Sequence, residues 1–343
     1  MNMHRRMVTG ALLLSTGLLC ASFPARAEDP ADFFKDKTVR VLVGHPPGGS
    51  YDFYARLAAD MLRVYLPQAK AVIVENKPGG GGLVATSYFY NQMPKDGTAL
   101  AVLPETIANT QVMEPEVGKW DVTKLRYIGS FSPVNTAFVR RKDSPSKTPE
   151  DMKKQETIVG CTGTTAQSYQ YPALLKVLDG YKFKMICGYP GANEYSVALE
   201  RGEIDLVSSA WNSWRVTHKR QLDAGELVAV IQTGLKRNHE LPDVPLMQEL
   251  VADPESKQVI EFASAGAMIG RALLAPPGVP EERIAYLRDI FDRMVKDPAM
   301  IAMATQRNLE VDPTPGTVVQ GYSDAIVKTP PAIVAKAAMA FKG

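Results

Sequence analysis

Short apolar runs alternate along this chain with segments of helical periodicity. The first runs of strand length lie at residues 38–44, 71–76 and 99–104. After the first run, apolar side chains recur at the spacing of one helix face: Tyr54, Leu57, Ala58, Met61, Leu62 and Tyr65. Strands that alternate with helices in this way predict a parallel α/β sheet with right-handed crossovers.

A second α/β series follows the first. The run 136–145 is extended, ends in charges and stops at a proline, which suits a strand leaving the first domain. Further strands are predicted near 158–161, 184–188, 205–208 and 227–233. The run 271–280 reads as a returning strand, with Pro280 opening a helix. We therefore expect a second domain, residues 139–253, inserted into a first domain of residues 28–138 plus 254–343.

Residues 1–27 have the pattern of a signal peptide. Arg5 and Arg6 precede a mostly apolar stretch, and Ala25-Arg26-Ala27 is a small-residue cleavage pattern. Cleavage after Ala27 would deliver the protein to the periplasm. It would also remove three arginines and no acids, so the formal net charge of +2 becomes −1. This charge argues against nucleic acid or an anionic membrane as a partner.

Two cysteines remain after the predicted cleavage. Cys161 and Cys187 each lie near the end of a strand-like run, and an oxidising compartment permits a disulfide between them. Such a bridge would contribute about 3–4 kcal/mol in the chain-entropy model. The alternative is two separate buried thiols, and the sequence leaves both interpretations open.

Two glycine-rich turns, HPPGGSYD at 45–52 and ENKPGGGG at 75–82, each connect a strand-like run to a helix-like one. Such turns direct free backbone N–H groups, aided by the helix dipole, at one point in space. Two of them on neighbouring parallel strands predict a site for a small carboxylate. Ser50 can cap the helix or donate to the carboxylate, while Asp52 either stabilises the positive helix end or accepts a hydrogen bond from a ligand or water.

The second domain offers polar residues for the opposite wall. The segment 161–172 places hydroxyl and amide side chains just after a strand: Thr164, Thr165, Gln167 and Ser168. Gln167 is either a ligand contact or simply the start of a helix. Tyr189 follows another strand, and Trp211 and Trp214 follow a third. Aromatic residues three apart on a helix are more often core than ligand platform, and Trp211 is the better ligand candidate because it is nearer the strand end.

The motifs of common catalytic and metal sites are absent from the sequence. There is no G-x-S-x-G elbow, P-loop, C-x-x-C, H-E-x-x-H or calcium loop. After residue 27 the only histidines are His45, His218 and His239, which are too scattered in sequence to suggest a metal site. We therefore predict no catalytic residues, no metal and no cofactor.

The motifs together resemble the Bug or TctC group of periplasmic solute receptors, the extracytoplasmic subunits of tripartite tricarboxylate transporters. The resemblance covers nearly all of the chain after residue 27. It is carried by PPGG-S-x-D with Arg56, VIVENKPGGGG, KDGTAL, GTTAQ, Tyr189-Pro190-Gly191, RGEIDL, PDVP and LLAPPGVP. The sequence departs from the common pattern at Tyr51, Phe53 and Tyr54, in GTTAQ, which lacks the usual second glycine, and in WNSW at 211–214.

The resemblance implies a two-domain Venus-flytrap fold of the type II-like class, with the ligand cleft between the lobes. It implies a carboxylate held by main-chain amides, often through ordered waters, without an arginine clamp. Carried over by position, the contacts are Pro47, Gly48, Gly49, Ser50, Asp52, Gly80, Gly81, Thr164, Thr165 and Gln167.

The leading functional hypothesis is a monomeric receptor that delivers a small organic carboxylate to integral-membrane transporter subunits, with which it associates transiently. One alternative is an orphan receptor that presents its ligand to a membrane sensor kinase. Another is a thiol-dependent enzyme that uses Cys161, which would need a free thiol of low pKa and a nearby base.

Overall fold

The computed structural model describes residues 30–164 and 166–342. The predicted signal peptide, residues 1–27, and the candidate ligand residue Thr165 lie outside this part of the chain.

The described residues form eleven strands: β1 (Thr38–Val43), β2 (Ala71–Asn76), β3 (Ala99–Val102), β4 (Arg126–Ser130), β5 (Thr136–Arg141), β6 (Thr157–Cys161), β7 (Phe183–Cys187), β8 (Leu206–Ala210), β9 (Leu227–Gln232), β10 (Ala272–Ala275) and β11 (Thr314–Pro315). They also form fourteen α-helices: α1 (Ser50–Tyr65), α2 (Leu83–Gln92), α3 (Ile107–Met113), α4 (Pro149–Lys154), α5 (Gln167–Asp179), α6 (Ala192–Arg201), α7 (Trp211–Thr217), α8 (Lys219–Asp223), α9 (Met247–Leu250), α10 (Pro254–Ser264), α11 (Glu281–Met294), α12 (Pro298–Gln306), α13 (Gly316–Val327) and α14 (Pro331–Lys342).

The strands make two sheets. The first has the order β11-β4-β10-β3-β1-β2, and the second has the order β7-β6-β8-β5-β9. In the first sheet β1 pairs in parallel with β2 and β3, whereas β10 is antiparallel to β3 and β4. In the second sheet β6 is parallel to β7 and β8, and β5 is antiparallel to β8 and β9. The two-lobed α/β fold predicted from the sequence is therefore confirmed.

The parallel arrangement predicted from the first three strands holds for β1, β2 and β3, but the first sheet also contains two antiparallel strands, β10 and β11. Both strands are antiparallel to their neighbours in this sheet. After the second sheet the chain passes through α9 and α10 and then enters β10 at the carboxyl end of β3, the end that faces the other lobe. It then runs in the direction opposite to β3 and β4.

The chain passes from one lobe to the other between β4 and β5, and it returns after β9. All of β5 pairs within the second sheet, so the crossing precedes Thr136. This crossing lies a few residues before the boundary expected at 138, and the predicted domain division stays a prediction. After the return, α14 packs against α5 of the second lobe as well as against α10.

The helices take the faces that the apolar periodicity predicts. On α1, the side chains of Tyr54, Leu57, Ala58, Met61 and Leu62 are at most 1% exposed and pack with β1 and β3 residues in one core. Burying a side chain of this size stabilises the fold by about 1.5–3 kcal/mol. This packing fixes α1 on the sheet and so fixes the position of its amino terminus.

Candidate functional site

The two lobes meet at the carboxyl ends of their strands, because Ser50 after β1 is hydrogen-bonded to Asn212 after β8, and Glu105 after β3 to Gln167 after β6. The carboxyl ends of β1, β2 and β3 lead into turns at one edge of the first sheet, and β10 begins at that same edge. The carboxyl ends of β6, β7 and β8 form the equivalent edge of the second sheet. Ligands of open α/β sheets bind outside the carboxyl ends of the strands. The cleft between these two edges is therefore the candidate site.

The first glycine turn is held in place by the carboxylate of Asp52. Its Oδ2 accepts hydrogen bonds from the Gly48 amide at 3.0 Å and from Arg56 Nε at 2.8 Å. Its Oδ1 accepts a third from Asn76 Nδ2, also at 3.0 Å. Burial opposes ionisation of Asp52, but these hydrogen bonds outweigh it and hold the pKa of the carboxyl below its ordinary value. Asp52 thus shapes the turn from the first helical turn of α1.

Several amides of the first turn remain available. Gly49 is the N-cap of α1, which is 16 residues long, and Ser50 is its first residue. Within the described residues, the amides of Gly49, Ser50 and Tyr51 donate to no other group. Such unpaired amides at a helix amino terminus, together with the helix dipole, attract an anion.

The second glycine turn has a left-handed backbone throughout. Gly79, Gly80, Gly81 and Gly82 have φ of 144°, 55°, 63° and 95°. Gly80 and Gly81 are exposed, and their amides also lack a partner among the described residues. A Cβ on Gly82 would lie 2.5 Å from Cγ of Pro104. Only glycine therefore fits where this turn packs against Pro104, two residues after the end of β3.

Glycines of both lobes border open space. A Cβ placed on Gly48 or Gly49 of the first lobe would meet no atom within 4 Å, and the same holds for Gly163 and Gly188 of the second lobe. Thr164 is exposed and Tyr189 is half-buried in the second wall. Both walls thus present backbone and small polar groups to a space that a ligand can enter.

Beneath the first turn lies a buried ion pair between Glu105 and Arg271, which we call the floor pair. Arg271 Nη1 is 2.7 Å from Glu105 Oε2, and the two side chains are 1% and 0% exposed. The Tyr51 hydroxyl donates to the same Oε2 at 2.6 Å, and Arg271 Nε donates to Ser50 Oγ at 2.9 Å. The guanidinium carbon lies 3.8 Å from the Tyr51 ring centroid. The floor pair is thereby tied to the first two residues of α1.

Sequence reasoning missed both members of the floor pair. The resemblance implied a site without an arginine clamp, and Arg271 does lie at the cleft, although its charge is already paired. One signal was available, because Arg271 is a single charge at the start of the apolar run that becomes β10. A charged residue in such a run is buried only when it is paired.

The second lobe contacts the floor through Gln167 and Asn212. Gln167 Nε2 donates to Glu105 Oε1, and Gln167 Oε1 accepts from Thr136 Oγ1 at 3.1 Å. Asn212 Oδ1 accepts from Ser50 Oγ at 3.0 Å. Ser50 therefore does not cap α1 with its side chain, and Gln167, which begins α5, bridges the lobes.

His45 lies at this floor as a neutral ring. It stacks on Tyr51 with ring centroids 4.1 Å apart and an interplanar angle of 6°. Burial, and secondarily the charge of Arg271, lowers the pKa of His45 to about 4. Burial and the neighbouring Glu105 raise the pKa of Tyr51 well above its ordinary value, so its hydroxyl keeps its proton and donates. The buried polar atoms that have no partner among the described residues include two beside this floor, His45 Nδ1 and Asn212 Nδ2.

The other second-lobe candidates lie in or beside the core. Trp211 and Trp214 are 6% and 2% exposed and belong to one hydrophobic cluster, against which Tyr189 packs. The Trp211 indole donates to Glu240 at 2.7 Å. Ser168 accepts from the Thr162 amide at 3.1 Å, which shapes the turn after β6. Ligand contact by Trp211, Tyr189 or Thr164 stays a prediction.

Cys161 and Cys187 are joined by a disulfide between the paired ends of β6 and β7. Their Cα atoms are 4.4 Å apart, and Cys161 is fully buried while Cys187 is exposed. In this state Cys161 has no thiolate to act as a nucleophile.

A separate surface depression of about 560 Å³ lies on the outer face of α1. Its lining residues are Phe53, Arg56, Ala59, Asp60, Arg63, Val74 and Arg307. Its arginines are already paired, Arg63 and Arg307 with Asp60 and Arg56 with Asp52. It shares no wall with the second lobe, and the cleft remains the better candidate site.

Within residues 30–164 and 166–342, no helix is long and apolar enough to cross a membrane. The same part of the chain contains no group of three or more His, Cys, Asp or Glu side chains placed to hold a metal ion.

Similar proteins include one curated relative and several solved structures. The chain is 28% identical over 300 residues to the "UPF0065 protein in gbd 5'region" of Cupriavidus necator, a match that covers 84% of this chain and 83% of the relative. The structure of periplasmic binding protein BugD is similar with a TM-score of 0.68 at 22% identity, covering 89% of this chain and 98% of BugD. An R. palustris protein solved with adipate has a TM-score of 0.69 at 20% identity, covering 88% and 97%.

These structures share the two-lobed fold of periplasmic binding proteins. Residues 54–326 match the family described as Tripartite tricarboxylate transporter family receptor. That range contains the second glycine turn, both members of the floor pair and the whole second lobe, and the resemblance read from the sequence is thereby confirmed. The chain belongs to the tripartite tricarboxylate transporter family receptors.

Proposed function

We propose that this protein is a periplasmic receptor that binds a small organic carboxylate between its lobes and delivers it to a transporter of the tripartite tricarboxylate type. The observation that carries the proposal is the set of amides at Gly49, Ser50, Tyr51, Gly80 and Gly81, which have no partner among the described residues and lie in the two turns that follow β1 and β2. Family membership adds the receptor role, and the R. palustris structure shows that a protein of this fold was solved with adipate.

Carboxylate binding follows from the positions of the amides. The first turn supplies the amino terminus of a helix, and the second supplies exposed amides from a left-handed glycine run. Hydrogen bonds from amides to a charged acceptor each contribute about 1.5–3 kcal/mol. Two or three such bonds offset the desolvation of one carboxylate, so a fixed cation is not required for the acid group.

Lobe closure would then act as a population shift. A ligand stabilises the closed form only through contacts that it makes with both lobes at once. Ligand contacts from the first lobe would come from the two glycine turns, and those from the second from Thr164 and the segment 188–191. The transporter subunits would engage the closed form transiently, with the receptor as a monomer.

A survey of carboxylic acids by isothermal calorimetry and small-angle X-ray scattering tests the proposal. We expect at least one acid to bind with a measurable heat and to reduce the radius of gyration of the protein. A well-folded protein that binds none of the acids would contradict the proposal.

A matched pair of variants tests the role of the amides. Ser50 is the first helical residue, where proline is well tolerated, and Gly49 before it is extended, with φ −103° and ψ 172°. Ser50→Pro removes both the amide N–H and the side-chain hydroxyl, whereas Ser50→Ala removes only the hydroxyl. We expect Ser50→Pro to bind the acid about 10- to 100-fold more weakly than Ser50→Ala, the equivalent of one charge-assisted hydrogen bond. Equal affinities of the two variants would exclude the Ser50 amide as a ligand group.

A further inference from the structure

The floor pair gives the cleft a charge balance that limits the kind of acid it can hold. Glu105 and Arg271 are fully buried, and each compensates the other at 2.7 Å. Tyr51, Arg271 and Gln167 each donate a hydrogen bond to the Glu105 carboxylate. The charge of Arg271 is therefore already used by the protein.

A ligand held by the first turn lies close to this pair. The amides that would bind the acid belong to Ser50 and Tyr51, and the side chains of those two residues contact Arg271 and Glu105 directly. The Tyr51 ring also separates Arg271 from His45, because the guanidinium lies at 3.8 Å from the ring centroid and the imidazole stacks at 4.1 Å. An acid group bound by these two amides would therefore lie beside this floor.

Among the described residues, the floor offers no unpaired positive charge to a second acid group. Four basic side chains of this part of the chain belong to the two turns or contact them: His45, Arg56, Lys77 and Arg271. Arg56 is paired with Asp52 and Arg271 with Glu105, while burial lowers the pKa of His45 and leaves its ring neutral at pH 7. Lys77 has no carboxylate partner among the described residues, but it precedes the second turn and lies over the Tyr88 ring, 4.6 Å from its centroid. The one unpaired charge of this set therefore lies beside the second turn, whose amides are assigned to the first acid group.

We infer that the floor pair makes this receptor selective for acids with one carboxylate and an uncharged remainder. A second carboxylate in the closed cleft would lose its hydration without gaining a free cation at the floor, because Glu105 already neutralises the charge of Arg271. Desolvating an uncompensated carboxylate is far more costly than desolvating a neutral polar group. A neutral amide or hydroxyl at the far end of the ligand avoids that cost. The inference rests on the proposed function, because it concerns the far end of a ligand whose acid group the turns hold.

The test compares pairs of ligands that differ by one charge. Protein purified after export is titrated by calorimetry with adipate and its half-amide adipamate, and with terephthalate and its half-amide 4-carbamoylbenzoate. We expect a half-amide to bind at least 10-fold more tightly than the matching diacid. If a diacid binds as tightly as its half-amide or more tightly, the inference is overturned and the proposed function stands. If no acid of either kind binds, the proposed function fails together with the inference.

The variant Glu105→Gln releases the charge of Arg271 while keeping the size of the side chain. We expect it to shift the half-amide to diacid affinity ratio at least 10-fold toward the diacid. The matched control is Glu281→Gln, which makes the same chemical change in the surface pair of Arg126 and Glu281. Arg126 starts β4, at the edge of the sheet opposite the cleft, so the control should leave the ratio unchanged. An unchanged ratio in folded Glu105→Gln would overturn the assignment. If the variant does not fold, the ratio of half-amide to diacid affinity in the wild-type protein alone decides whether the inference stands.

Discussion

Reduction of the disulfide between Cys161 and Cys187 should destabilise the protein by an amount that the structure defines. The bond joins residues 26 apart in sequence. In the chain-entropy model, closing a loop of this length lowers the conformational entropy of the unfolded chain, which stabilises the folded protein by about 3.5 kcal/mol at 25 °C. We therefore expect the free energy of unfolding in urea to fall by about 3.5 kcal/mol when the bond is reduced.

The loss of stability should be greatest at β7, an outer strand of the second sheet. β7 is an outer strand and pairs only with β6, so the bond supplements a single ladder of hydrogen bonds. Amide hydrogen exchange across 183–187 should accelerate after reduction more than exchange in β5, which is paired on both sides. The exposed position of Cys187 gives a reductant access to the bond.

The assay is urea unfolding followed by circular dichroism, with and without dithiothreitol, after thiol titration has shown that two thiols are released. The double variant Cys161→Ala and Cys187→Ala is the control, because its unfolding should not respond to dithiothreitol. A fully reduced wild-type protein whose stability changes by less than about 1 kcal/mol would refute the chain-entropy reasoning for this bond. Two titratable thiols before any reductant is added would show that the bond is absent from the protein.

Three further predictions concern the first lobe. The pKa of His45 in the folded protein, about 4 against an ordinary 6.5, means that the unfolded chain binds the proton more readily. As pH falls from 6.5 to 4, the free energy of unfolding should therefore decrease by up to about 1.4 kcal/mol per pH unit. Urea unfolding at several pH values measures this slope, and His45→Phe should lack it. Gly82→Ala should lower the free energy of unfolding by about 3 kcal/mol in the same assay, because Gly82 has a positive φ and a Cβ there would lie 2.5 Å from Pro104. The control is Gly49→Ala, whose new Cβ faces open space and whose stability should stay within about 1 kcal/mol of wild type. Asp52→Ala should lower the free energy of unfolding by about 2 kcal/mol at pH 7. Because the pKa of Asp52 in the folded protein lies below 3.8, this difference from wild type should shrink as pH falls through the folded-state pKa. A difference that does not change with pH would contradict the role given to the carboxylate.

Local sequence patterns were sufficient for most of the first-lobe elements. The run predicted at 71–76 is β2, and the run 38–44 contains β1. Five of the six periodic residues of α1 are buried, as expected, and the sixth, Tyr65, is half-buried. These predictions succeed because the period of apolar residues in a strand or helix reflects which side of that element faces the core.

The glycine turns were also readable from the sequence, since glycine runs between a strand and a helix have few other uses. The run 79–82 adopts positive φ at every position, which other residues rarely do. The direction of β10 was not readable, because a strand of four apolar residues looks the same whether it runs parallel or antiparallel to its neighbours. Its direction depends on the path that the chain takes through the other lobe.

By itself, the sequence determined the fold class, the two amide-bearing turns and the family of this receptor, because each is encoded in residues that are close together along the chain. The tertiary structure alone decided the chemistry beneath the first turn. Glu105 and Arg271 are 166 residues apart, and neither has a local signature that names the other as its partner. A buried charge is stable only beside its counter-charge, so their roles became apparent once the fold had brought β3 and β10 together with the start of α1.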